Sequence, residues 1–251
     1  MKRNHLVQSI IAAVTLLGAV GASANNTTHS LLGIDVSHYQ GSINWTSVHG
    51  DGVNYAYAKA VEGTGYTDPN FSSYATGAKG AGLQFSAYDF VHPESGCPSA
   101  EVNHFWAVAG GKLTADGKSL YPMNDLETFA GVGCSEGSYT TWCNDWSVDV
   151  KAKTANFMHP IIYISACNCS HISTAITLSA WIANYNGQNL YTGNPWSTCC
   201  SYDRWGSTAC GANTWTYWQV SSTGAISGIG GNVDLDAYNG TLAELISWQG
   251  I

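Results

Sequence analysis

Charge is what this 251-residue chain has least of. Asp, Glu, Lys and Arg together make up 10% of it, against roughly a quarter of an average protein. Nine Lys and Arg face seventeen Asp and Glu, for a formal charge of −8. So acidic a chain has no electrostatic footprint for nucleic acid or for capture by anionic membranes. Past residue 24 there is no apolar run that could span a bilayer, no Pro/Ser linker, no charge block and no internal repeat. One domain is the prediction. Chemistries fall away too. Ser37 and His38 are adjacent, but Ser37 stands in D-V-S-H-Y rather than in a G-x-S-x-G elbow, so the pair does not carry a serine-hydrolase signature. The eight histidines hold no H-E-x-x-H, and Cys167-Asn168-Cys169 and Cys199-Cys200 lack C-x2-C spacing. Neither a metal nor a cofactor is expected.

What is present begins with MKRNH, an apolar stretch, and Ala22-Ser23-Ala24. A basic start, an apolar middle and small-x-small make a secretory signal peptide over residues 1–24. The predicted mature protein is a secreted single domain over 25–251, its charge taken to −10 by loss of Lys2 and Arg3. All eight cysteines lie in it: Cys97, Cys134, Cys143, Cys167, Cys169, Cys199, Cys200 and Cys210. An even count in an exported chain reads as disulfides, and the pairing stays open among 105 possibilities. Ten Trp and fourteen Tyr suit a surface that stacks on sugar rings, though secreted proteins are commonly aromatic.

Eight short runs read as buried strands: 31–37, 54–63, 83–91, 119–127, 160–165, 180–185, 214–220 and 232–238. Helix-compatible stretches at 70–82, 99–111 and 140–157 alternate with the earlier ones, while later spacers are short or rich in Gly, Ser and Cys. The pattern predicts an α/β fold, a modified (β/α) TIM-like barrel, irregular and helix-poor in its last third. The scarce acids then fall at strand ends: Asp35, Glu62, Asp89, Asp125 with Glu127, and Asp234 with Asp236. A parallel barrel gathers strand C-termini at one mouth, where chemistry sits.

Asp125 and Glu127 are the most informative pair. Residues i and i+2 of a strand point the same way, about 6.6 Å apart along it. Like charges that close cannot both ionise freely, so one pKa should rise. A proton-holding acid beside a charged carboxylate is what glycosidic cleavage needs. Direct nucleophilic attack and water-mediated inversion want different carboxyl separations; two flexible side chains satisfy either, and the spacing does not decide. Lys59 and Glu62 form a candidate pair at the mouth, and Tyr88, Tyr163, Tyr185 and Trp218 are candidates for stacking on sugar or donating to it. Gln219 alternates away from Trp218, so at most one of them faces the mouth.

The blocks GIDVSHYQG, K-x-x-E-G-x-x-Y-x-D-P, N-D-L-E and VDLDAYNG occur here in order. In this the chain resembles glycoside hydrolase family 25, the Chalaropsis-type lysozymes, over about residues 31–248. With a monomer as the default expectation beside it, the resemblance implies a muramidase that cuts the β-1,4 bond between N-acetylmuramic acid and N-acetylglucosamine in bacterial peptidoglycan. It implies that Glu127 is the general acid, and that Asp125 orients the substrate's own N-acetyl group for attack on the anomeric carbon. It places Asp35 and Asp234 in the catalytic cleft. Three positions depart from the family pattern: Asp89 where Y-H-F is usual, Asn124 where an apolar residue is common, and Asp236 where Asn is common. Two alternatives accompany this reading: a related hydrolase of chitin-type N-acetylhexosaminides, and a non-catalytic wall-binding barrel.

Overall fold

The computed structural model describes residues 30–135, 137–154, 160–196 and 215–247. The expected signal peptide and Cys199, Cys200 and Cys210 lie outside those residues. Short runs, most of them buried on both faces, build a closed sheet from nine strands: Ser30–Val36 (β1), Tyr55–Glu62 (β2), Tyr66–Thr67 (β3), Gln84–Phe90 (β4), Met123–Asp125 (β5), Ile161–Ser165 (β6), Ser179–Ala183 (β7), Trp215–Gly224 (β8) and Val233–Asn239 (β9). Eight of them form a ring in the order β1-β9-β8-β7-β6-β5-β4-β2, closed by parallel pairing of β1 with β2. The two-residue β3 is a hairpin appended to β2.

Seven strands of the ring run the same way, and β9 runs antiparallel to both its neighbours. It is therefore the start of β9, not its end, that reaches the mouth.

The helices Trp45–Gly50 (α1), Phe71–Ala81 (α2), Pro98–Ala109 (α3) and Tyr139–Lys153 (α4) fall between strands up to β6. Past β6 only a 3-10 turn and the short Leu242–Ser247 (α5) are helical among the described residues, as the sequence predicts. Local chemistry sets the ends. Ser138 Oγ accepts the Thr141 N–H at 3.2 Å to start α4, Pro98 opens α3 where a missing N–H costs nothing, and Gly82 closes α2 at φ 98°. The run expected as one strand over 119–127 is broken. Ser119 bridges to Phe85, Pro122 has no N–H to give a ladder, and β5 resumes for three residues.

Aromatic rings fill the barrel. Trp181 stacks on Tyr217 at 4.7 Å, Tyr57 meets Trp181 edge-on at 4.8 Å, and Tyr55 and Tyr238 close on Tyr217 at 5.4 and 5.2 Å. Such pairs contribute about 0.5–1.5 kcal/mol beyond their burial. Gly33 makes the room: a Cβ there would stand 2.1 Å from Tyr55 Cζ. Between sheet and helices the core is also aromatic, with Phe71 of α2 against Phe85 and Phe105 of α3 against Trp146 of α4. One disulfide, Cys97–Cys134, joins the loops that follow β4 and β5. Cys143 instead carries a buried thiol, packed from α4 against Asn124 at 3.7 Å, with its pKa pushed up by burial.

Candidate active site

Above the aromatic layer the inward-facing residues turn polar. The register sets Asp35 of β1 opposite Asp234 of β9, and Asp125 of β5 opposite Tyr163 of β6. Gln219 of β8 ties one side together. Its Nε2 donates to Asp35 Oδ2 at 2.6 Å, and its Oε1 accepts from Tyr163 and Tyr185 at 2.8 and 2.6 Å. Glu127 lies two residues past the end of β5, but the chain is still strapped there. Val91 N–H donates to Asp125 O and Leu126 N–H to Tyr163 O, both at 3.0 Å. Leu126 is buried, so Asp125 and Glu127 share the other side.

The acids crowd one another. Asp35 is held well above the usual carboxylate range by burial and by Asp234, against the opposing Gln219 bond. Asp125 is raised well above it by burial and by the charges of Glu127 and Asp35, with Lys59 pulling the other way. Glu127 is also raised. It reaches solvent, yet protein crowds its carboxyl enough that desolvation outweighs Lys59 and a hydrogen bond with Asp125. Asp234 is pushed up to about 6 by burial and Glu127. Asp125 and Glu127 thus act as one titrating pair that keeps a proton where isolated carboxyls would lose it. Asp125 is buried and Glu127 exposed, so Glu127 is the member that can meet a ligand.

Lys59 is a cation whose charge acts on both acids of the pair. Its ammonium stands 4.6 Å from the Phe90 ring centroid and pairs with Glu62 at the rim. Tyr88 faces the same group, its hydroxyl raised by burial and by Asp35, Asp125 and Asp234. Tyr185 is half-exposed at the edge.

Two candidates point elsewhere. Asp89 is fully buried on the outer face of β4, where Trp146 Nε1 of α4 donates to it at 3.1 Å. Burial and Glu101 raise its pKa. Alternation puts Tyr88 inward and so turns Asp89 into the helix layer. Trp218 also faces outward, donating to Asn184 O at 2.9 Å and packing on Trp215. Its neighbour Gln219 takes the mouth instead. The parity of Tyr217, Gln219 and the interior rings was the available signal. Asp236 is a further inward acid, fully buried below Asp35, with no hydrogen-bond partner on either carboxyl oxygen within bonding distance. Burial, Asp35 and Asp234 raise its pKa well above the usual carboxylate range, with Trp181 pulling the other way.

A concavity of about 630 Å³ lies on the α1–α2 flank, lined by Trp45, Gly77 and Gly228 among others, and contains none of these residues. The chemistry is with the acids.

A sheet ring of this order with paired acids at its mouth defines a barrel glycoside hydrolase. The chain belongs to glycosyl hydrolases family 25, whose sequence model matches residues 34–229. It is 36% identical over 233 residues to Lysozyme M1 of Streptomyces globisporus, covering 88% of this chain and 71% of that one. It is 36% identical over 138 residues to the N,O-diacetylmuramidase of Chalaropsis sp, covering 52% and 64%. Among solved structures, a bacterial lysozyme of Streptomyces coelicolor superposes with TM-score 0.72 at 33% identity, covering 88% of this chain and 98% of its own. The family 25 lysozyme of Aspergillus fumigatus does so with TM-score 0.68 at 27%, covering 89% and 100%.

Proposed function

We propose that this chain hydrolyses the β-1,4 bond between N-acetylmuramic acid and N-acetylglucosamine in peptidoglycan, with Glu127 as general acid and the substrate's N-acetyl group as internal nucleophile. The observation that carries it is a buried and an exposed carboxyl side by side past one strand end, Asp125 and Glu127, each with its pKa raised by burial. In the free protein, burial favours the proton on Asp125. An acetamido N–H donated to Asp125 would stabilise its carboxylate and leave the proton on Glu127, facing the leaving oxygen. Lys59 lowers the cost of the negative charge left behind. Asp35, linked to Tyr163 and Tyr185 through Gln219, forms the opposite wall of the sugar site together with Asp234 across the β1–β9 ladder. Residues 25–251 act as one exported catalytic unit, a monomer, after loss of residues 1–24.

The test is to incubate mature protein with purified peptidoglycan and identify the new reducing end. Reducing N-acetylmuramic acid is expected. Reducing N-acetylglucosamine would reassign the bond cut, and absence of any product from several wall types would overturn the reading. N-terminal sequencing of protein recovered from culture medium should begin at Asn25.

A further inference from the structure

His92 stands in the loop after β4 with a carboxylate at each ring nitrogen. Nδ1 is 2.8 Å from Glu94 Oε1, and Nε2 is 3.3 Å from Glu62 Oε1. A neutral imidazole has one N–H and one lone pair and can satisfy only one of them; the imidazolium donates to both. Each carboxylate then reaches the reacting pair with its second oxygen. Glu62 Oε2 pairs with Lys59, the cation acting on Asp125 and Glu127. Glu94 Oε2 lies 3.0 Å from the hydroxyl of Thr128, the residue after Glu127. That hydroxyl is also 3.3 Å from Val91 O.

The rest of the loop is fixed independently. The His92 backbone N–H is shared by both oxygens of Glu101 on α3 at 3.2 Å. Gly133 N–H donates to Pro93 O at 2.8 Å, Trp142 Nε1 to Gly96 O at 2.8 Å, and Cys97–Cys134 joins the two loops. The histidine ring therefore bridges its own held loop to the end of β2.

We propose that His92 is a positioning residue for the general acid: its imidazolium, bridging Glu62 to Glu94, holds Lys59 on one side and Thr128 on the other, and so sets where the Glu127 carboxyl stands. This rests on the reading of Glu127 given above. The ionisable groups around His92 are Glu62 and Lys59 from β2, Glu94 from its own loop and Glu101 from α3. Partial burial alone would lower the His92 pKa, but the bonds to Glu94 and Glu62 and their charges raise it. Against their own partial burial, Glu62 is lowered by its bond to Lys59 and then by His92, and Glu94 by His92 first and by Thr128 further down. The sign follows: the bridge is complete below the ordinary histidine value and opens as pH rises through the raised one.

The test uses mature protein labelled for NMR, titrated between about pH 5 and 9, with kinetics on purified peptidoglycan for wild type, His92→Gln, Glu94→Gln and Thr128→Val. The His92 ring should titrate above the ordinary histidine range, and the Thr128 amide should move with the same midpoint. His92→Gln should lower kcat about tenfold or more with KM within about twofold, and Thr128→Val should move kcat in the same direction. A His92 ring that titrates at or below the ordinary range, a Thr128 amide that ignores it, or an unchanged kcat-against-pH profile in His92→Gln would overturn the proposal. If wild type turned over no peptidoglycan, the hydrolase reading would fall. The linked movement of His92 and Thr128 would still decide the bridge.

Discussion

Trp218 and Gln219 are neighbours, and one step of alternation gives them opposite work. Gln219 spends its amide on Asp35 and two tyrosines; Trp218 is buried in the outer layer. Gln219→Ala should therefore lower kcat/KM by about tenfold or more, because Asp35 loses the donor that favours its charged form. Trp218→Phe should leave turnover within about twofold and cost about 1–3 kcal/mol of stability, through the lost bond to Asn184 O and lost packing. Steady-state kinetics beside urea unfolding separates the two; a kinetic loss in Trp218→Phe alone would contradict the assignment. Asp89 carries the same lesson. It has the chemistry of a site residue and the address of a core one, since Trp146 holds it between β4 and α4.

At the scale of elements, close approach between β1 and β2 sets the height of the site. Gly33→Ala would put a methyl into the Tyr55 ring, which lies in the aromatic layer beneath the acids. A loss of about 1–3 kcal/mol is expected, read by urea unfolding, together with reduced activity; full stability would mean the ring has another place to go. The strands that carry Asp35, Lys59, Tyr88 and Tyr163 were legible because each is a short apolar, β-branched or aromatic run ending at turn residues or an acid. The strand carrying Asp125 was legible only in part, because Pro122 splits its ladder and no pattern says where pairing resumes. The reversal of β9 was not legible: a period of two marks a strand but not its direction. Asp234 therefore reaches the mouth from the first turn of a strand rather than the last. The choice between Trp218 and Gln219 hung on which face of β8 points inward, and two residues that both suit sugar gave no local answer.

At the scale of the whole molecule the acids divide: Glu62, Glu94, Asp116 and Glu244 are lowered, while those of the mouth and the packed layer behind it share the opposite trait. Asp35, Asp89, Asp125, Glu127, Asp234, Asp236 and Glu101 all have raised pKa values with burial as the first cause, to about 6 for Asp234 and about 7 for Glu101. Each favours the folded state most fully below the ordinary carboxylate value near 4 and loses that contribution as pH rises through its folded value. Unfolding free energy measured in urea should accordingly fall between about pH 5 and 8. A rise over that window would mean the acids are solvated or paired. On the proposed mechanism the proton held by the Asp125–Glu127 pair is the one donated to the leaving oxygen, so activity should decline on the alkaline side as that pair ionises. The most direct measurement compares turnover of peptidoglycan by wild type and Glu127→Gln, with binding to the insoluble wall measured on the same samples. The account predicts that Glu127→Gln binds as wild type does while kcat falls about 10²–10⁴-fold. A variant that binds normally and keeps kcat within about tenfold would show that the proton comes from elsewhere.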